Sequence, residues 1–327
     1  MRCRREAEKC ELSKQTGGTP FKIPPQKPKP MNDNANSELK DIQDSEVRVV
    51  ALLPRPDKGN PFWGAIRHGI EVAAATEGMA EIEFKDFDME DESEFAKKTS
   101  EVIEEKPDGV IVAPVFQNKS QEFCIDMDLQ GVPYIFVNTS VNGTNEIGYV
   151  GEDSYHSGRI AANIMDVAVG QERDILMVNI GNTQHLYARS KGFLSYFAFG
   201  KRNEGLRLAL NLPNADETVV TKELNQVLKK ANIGGIWVSN SKSYVIADYL
   251  KSRGERDIVV VGYDLHERNL SMMQDGQIGF LLDQRPQEQG VKALRSMVRY
   301  IKTKEKPKRN DYSKIRIVNA EVLAYND

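Results

Sequence analysis

Two aromatic side chains, Phe62 and Trp63, follow directly on Asn60 and Pro61 at the end of a polar loop, residues 54–60. An asparagine amide both donates and accepts hydrogen bonds, and an aromatic face covers an apolar ring, so this cluster has the chemistry to hold a small polar molecule. Two readings stay open for the aromatics: they face a ligand, or both are core residues at the start of an amphipathic helix. Signals of covalent or cofactor chemistry are absent. The chain has no Gly-x-Gly-x-x-Gly, no Gly-x-Ser-x-Gly and no His-Glu-x-x-His, so binding is expected rather than catalysis. Its three cysteines, Cys3, Cys10 and Cys124, have no metal-ligand spacing and form no disulfide framework. No metal and no cofactor is expected, and Cys124, following Phe123 in a predicted helix, reads as a core thiol.

The elements that must position the cluster are a strand and a helix. Residues 47–53 are mostly β-branched or apolar, as in a strand buried on both faces of a parallel sheet. The period then changes: Phe62, Ile66, Ile70 and Ala73 or Ala74 recur at helical spacing, with Asn60 as N-cap and Pro61 at the first helical position. The loop between them lies at the carboxyl end of the strand, where open α/β sheets bind ligands. Alternation of strand and helix continues along the chain. Strands are expected at 81–87, 109–115, 133–138, 174–180, 207–211, 234–240 and 258–264, and helices at 95–105, 117–130, 154–169, 187–199, 222–230 and 243–253. The acidic loop 88–94 lacks calcium-loop spacing and reads as solvated surface. This succession means α/β architecture with parallel, doubly wound sheets, and its two series suggest two Rossmann-like lobes facing across a cleft.

The chain's 327 residues suit two lobes, and 40% hydrophobic and 28% charged residues with a net charge of −4 describe a globular composition. No run approaches the roughly 18 apolar residues of a membrane span, and no apolar signal core is seen, so a cytoplasmic, reducing compartment without a membrane partner is expected. Residues 1–46 carry Pro20, Pro24, Pro25, Pro28 and Pro30 and few large apolar side chains, and are expected to be a disordered arm. The first thirty residues hold a balance of +5, leaving −9 for the remainder. Such an arm can touch nucleic acid nonspecifically, although a solvated tail is the favoured reading.

Several short motifs occur in a telling order: Asn60-Pro61-Phe62-Trp63 after the first strand, Pro107-Asp108-Gly109-Val110-Ile111, Gly131-Val132-Pro133, Arg189 with Gly192-Phe193, and Val261-Gly262-Tyr263-Asp264 with Gln284. From residue 47 to the end, the chain resembles the lac repressor and periplasmic ribose-binding protein superfamily. It is most similar to LacI-type transcription regulators through the segments 149–155 and 284–290. The resemblance implies a periplasmic binding protein type I fold, two lobes joined by three crossovers and closing on a small ligand, in this superfamily a sugar, either as the effector-binding domain of a regulator or, alternatively, as a free-standing sugar-binding protein serving a transporter or sensor. It implies a first lobe of 47–147 with 285–311 and a second of 148–284 with 312–327. It also implies a homodimer, with DNA as a partner only if a head domain is supplied, since residues 1–46 show no helix-turn-helix.

Carried over residue by residue, the resemblance implies ligand contacts from Asn60, Phe62 and Trp63, from Asn138 and Thr139 where ribose binders have Asp-Arg, and from Arg189, Asn240, Asp264 and Gln284. Phe116 and His185 are secondary candidates near the cleft mouth, while His68 and His156 read as surface or helix-packing residues. The chemistry of this set agrees: Asn60, Arg189, Asn240, Asp264 and Gln284 bring planar polar groups that suit vicinal hydroxyls. For Arg189 a helix-surface ion pair is the alternative, and for Asp264 a turn or N-cap role.

Overall fold

A run of apolar residues as unbroken as 47–53 is stable only where both faces of its strand are covered. The computed structural model places it there, as β1 (Val47–Pro54), buried at all positions but one. The structure describes residues 47–57, 61–77, 80–181, 184–198 and 207–326, all within one compact unit, Ser45–Asp327. The predicted arm, residues 1–46, and Asn60 lie outside the described residues.

The remaining elements, in order, are α1 (Phe62–Glu77), β2 (Ala80–Phe87), α2 (Glu92–Glu105), β3 (Gly109–Val112), α3 (Gln117–Gln130), β4 (Tyr134–Val137) and β5 (Gly148–Gly151). They continue with α4 (Ser154–Ala168), β6 (Asp174–Ile180), α5 (Gln184–Ala198), β7 (Arg207–Leu212), α6 (Glu217–Leu228), β8 (Ile233–Val238), α7 (Ser243–Ser252), β9 (Val259–Tyr263) and α8 (Glu267–Gln274). Last come β10 (Phe280–Asp283), α9 (Pro286–Thr303), β11 (Asn310–Tyr312), β12 (Arg316–Val318) and α10 (Ala320–Asn326). The helices follow local rules. In α2, for example, the Asp91 side chain accepts from the amides of Ser93 and Glu94, and the left-handed Lys106 before Pro107 ends the helix.

Two six-stranded sheets result, ordered β11-β5-β4-β3-β1-β2 and β12-β10-β9-β8-β6-β7. Every pairing is parallel except that of β12 with β10. The orders are the same once β1 is matched to β6, β2 to β7, and so on to β5 with β10. The chain passes between the sheets three times: after Gly151, after Asp283, and between Tyr312 and Arg316. The first boundary is therefore not at 147. Gly148 to Val150 pair with residues 135–137 of β4, which puts all of β5 in the first sheet, and Tyr312 pairs with Gly151 there too. β5 and β10 lie outside the expected strands, and in β5 glycine at both ends leaves only Tyr149 and Val150 to carry a pattern.

Each lobe contains one close helix crossing built on a pair of glycines. In the first, a Cβ on Gly69 would overlap the carbonyl of Gln287, and one on Gly290 that of Ile66; in the second, Gly192 faces the carbonyl of Tyr155 and Gly158 that of Arg189. The four glycines let α1 meet α9 and α5 meet α4 backbone to backbone. The pattern also sets equivalences: Ile66 corresponds to Arg189, each three residues before its glycine in the helix after its sheet's first strand.

Candidate functional site

The site begins where β4 and β9 end. Asn138 and Asp264, the residues directly after these matched strands, both take left-handed backbone conformations, with φ of 64° and 68°. Neither is glycine, so the surrounding structure must hold them there. It does so through the sheet, since the Asn138 amide donates to the Val150 carbonyl at 2.8 Å and the Asp264 amide to the Leu282 carbonyl at 3.1 Å. Behind Asp264, the fully buried Asn269 side chain donates to the carbonyls of Ser241, Tyr263 and Asp264 and accepts from the Tyr244 amide.

Gln284, just beyond β10, joins the two strand ends. Its Nε2 donates to Asp264 Oδ1 at 2.8 Å, and its Oε1 accepts a longer bond, 3.5 Å, from Asn138 Nδ2. This chain of polar groups crosses from one lobe to the other. Burial pushes the Asp264 carboxyl up to about 7, against the pull of Arg189 and the Gln284 hydrogen bond.

Arg189 is an ion pair, but a buried one, 2% exposed, rather than a helix-surface pair. Its guanidinium meets Glu152 Oε1 at 2.5 Å, donates to the Ser239 carbonyl at 2.7 Å and lies 3.8 Å over the ring of Tyr263, whose hydroxyl bonds Ser157 at 2.8 Å. Glu152, the residue after β5, matches Gln284 after β10. Sequence reading missed Glu152 as a functional group because its partner lies 37 residues away, a separation no local period reveals.

Two cavities flank these bridges. One, about 580 Å³, is lined by Phe62 and Ala65 from α1, by Asp264 and His266 after β9, and by Pro286 and Arg316 at the crossovers. The other, about 480 Å³, holds Asn138, Thr139, Glu152, His185, Arg309 and Tyr312. Burial, helped by Arg189, pushes His185 down to about 3, so its ring is neutral. His266, which sequence reading passed over, is also buried, and its Nε2 sits 2.8 Å from the Ser241 carbonyl. A carbonyl only accepts, so this nitrogen carries the proton.

The structure separates the expected contact residues into groups. Phe62 and Asp264 share the larger cavity, Asn138, Thr139 and His185 share the smaller one, and Gln284 lies between. Trp63 is corrected to a core residue: it is 7% exposed, meets Phe62 edge to face, and its Nε1 donates to Met89 Sδ at 3.2 Å. Phe116, partly buried, packs on the first lobe's core, its ring tilted against Phe95 and Phe87 with centroids 5.4 and 6.3 Å away. Asn240 serves its own lobe, donating to the Ile180 carbonyl at 2.7 Å and accepting from the Lys242 amide. These corrections share a cause: helical or strand spacing tells which residues approach a strand end, not which way their side chains turn. Among the described residues no group of three or more His, Cys, Asp or Glu side chains could hold a metal ion, and burial pushes the Cys124 thiol up to about 12.

Residues 50–306 match the family model described as periplasmic binding protein domain. No curated protein matches the chain by sequence. Among solved structures, one from Bacteroides fragilis, assigned to the LacI transcriptional regulators, is 24% identical with a TM-score of 0.76, covering 86% of this chain and 99% of its own. A periplasmic ribose ABC transporter structure from Conexibacter woesei DSM 14684 is 19% identical, with a TM-score of 0.75 and coverage of 86% and 94%. An ABC transporter solute binding protein from Agrobacterium vitis, bound with alpha-D-tagatopyranose, is 21% identical, with a TM-score of 0.75 and coverage of 85% and 96%.

Proposed function

We propose a binding function from the premise of family: this chain belongs to the periplasmic binding protein domain family, and it takes up a small sugar between its two lobes. The observation that carries this reading is that Phe62 and Asp264, from elements on different sheets, line one cavity of about 580 Å³. That volume lies within the range of small-ligand sites. Phe62 offers an apolar ring face, and Asp264 offers acceptors for hydroxyl hydrogens. A ligand held by both lobes favours whichever arrangement lets both touch it, so binding shifts the population of lobe arrangements. A sugar hydroxyl on Asp264 competes with Gln284 for the same carboxylate, which couples occupancy to the tie between Gln284 and Asn138. The groups recruited are those of a receptor rather than of a catalyst.

Isothermal calorimetry of the full chain against mono- and disaccharides tests this. One sugar class is expected to bind, and Asp264→Ala to weaken it by about 2–3 kcal/mol. A full panel without heat sinks the reading. Within it, we place the chain as the effector-binding core of a LacI-type regulator, cytoplasmic and dimeric, rather than a transport receptor. The similarity of segments 149–155 and 284–290 to such regulators and the Bacteroides fragilis structure support this choice. Light scattering should then give a dimer. A monomer points to the transport role instead.

A further inference from the structure

Charge in this acidic chain is unevenly placed. Residues 292–309 hold eight lysines and arginines against a single acid, Glu305, although the whole chain carries −4. Four of the eight, Lys292, Arg295, Arg299 and Lys302, recur at intervals of three, four and three along α9, so they form a stripe on one side of the helix. The opposite side, with Leu294, Met297 and Val298, is buried in the first lobe. The stripe spans about 15 Å at the helical rise. It continues past the end of α9 into Lys304, Lys306, Lys308 and Arg309, all exposed.

The fold presents this segment rigidly. The Arg309 carbonyl accepts from the Tyr149 amide at 2.8 Å, and Gly148 backs onto the Lys308 carbonyl and Pro307. Because β11 runs parallel to β5, and the strands from there to β1 are parallel as well, residues 304–309 lie at the sheet end where β1 begins. Four strand spacings separate this segment from the start of β1, about 19 Å. Local acids neutralise part of the stripe: Lys292 pairs with Glu288 and Asp311, and Arg299 with Glu305. Lys306, Lys308 and Arg309 have no carboxylate within ion-pair distance among the described residues.

We propose that this stripe and the segment that extends it form a surface for the phosphate backbone of duplex DNA, read without regard to sequence. A line of cations on a rigid helix is the electrostatic footprint of such a partner. An anionic lipid surface is less well matched, because between residues 292 and 309 no large apolar side chain is exposed to enter a bilayer. The inference stands apart from the sugar reading, and its test contains no sugar.

Fluorescence anisotropy of the full chain with a labelled duplex of mixed sequence, across a salt series, measures it. Wild type should bind with affinity that falls steeply with salt, and the double variant Lys306→Gln/Lys308→Gln should bind roughly tenfold more weakly at low salt, its log–log salt slope shallower by about two. An unaltered circular dichroism melt shows that the variant is folded. The inference is overturned if wild type does not bind the duplex, or if affinity and slope are the same in both proteins. It is overturned as well if only phosphatidylserine vesicles, and not the duplex, distinguish the two.

Discussion

The two lobes share a strand order and a glycine-paired helix crossing, yet they place different chemistry at matched positions. Where the first lobe has Ile66, fully buried in its hydrophobic core, the second has Arg189, buried against Glu152. Where the first ends β4 with the neutral Asn138, the second ends β9 with Asp264, at nearly the same backbone angle. At these matched positions the first lobe is neutral and the second carries ionisable groups. The difference teaches that the scaffold and the site are separable: backbone geometry repeats, while a few substituted side chains decide what each lobe can bind.

The largest test of this separation concerns the buried pair. Glu152→Ala leaves Arg189 charged in a dry interior and should destabilise the protein by about 3–5 kcal/mol in urea titrations. Replacing both members, Arg189→Leu with Glu152→Leu, makes the second lobe resemble the first. The double variant should recover most of that loss, and a double variant no more stable than the single one breaks the comparison.

The crossings come next. Gly69→Ala and Gly192→Ala each force a methyl into a backbone carbonyl and should cost about 1–3 kcal/mol, to a similar extent in both lobes. Strongly unequal losses, read from denaturant midpoints, indicate that the two crossings are not equivalent.

The smallest effects belong to the strand ends. Asn138→Ala should reduce sugar affinity by about 1 kcal/mol, well under the loss from Asp264→Ala, if calorimetry finds the carboxylate dominant. Asp264 also makes stability depend on pH. Its folded value of about 7 lies above the ordinary 3.8, so between those limits the folded state keeps a proton that the unfolded chain releases. Stability from this group therefore falls as pH rises through that window. His185 acts oppositely, since its lowered value makes stability fall as pH drops below its ordinary 6.5. Subtracting the Asp264→Asn pH profile from that of wild type isolates the carboxylate, and a flat difference refutes its raised value.

Much of the architecture was legible because it repeats locally. The apolar run of β1, the helical spacing of Phe62, Ile66 and Ile70, and the alternation after them all depend on neighbours within a few turns. β5 was not, since the glycines at both its ends leave only two residues to carry a strand pattern, and the lobe boundary moved with it. Asp264 became a candidate through the resemblance carried by residues 261–264, and the strand end that it follows was visible in the sequence. Trp63 stayed open because both a ligand-facing and a buried aromatic fit the start of an amphipathic helix, and packing against Phe62 and Met89 made the choice.

By itself the sequence determined the α/β succession and the polar residues delivered to the strand ends, because strand and helix periods are set by backbone geometry that each residue meets locally. Only the tertiary structure decided that Arg189 is spent on Glu152, that Gln284 ties Asp264 to Asn138, and that Phe62 rather than Trp63 lines a cavity with Asp264. Those choices join residues as much as 200 positions apart, and they depend on side-chain direction and burial, which exist only once the two sheets stand side by side.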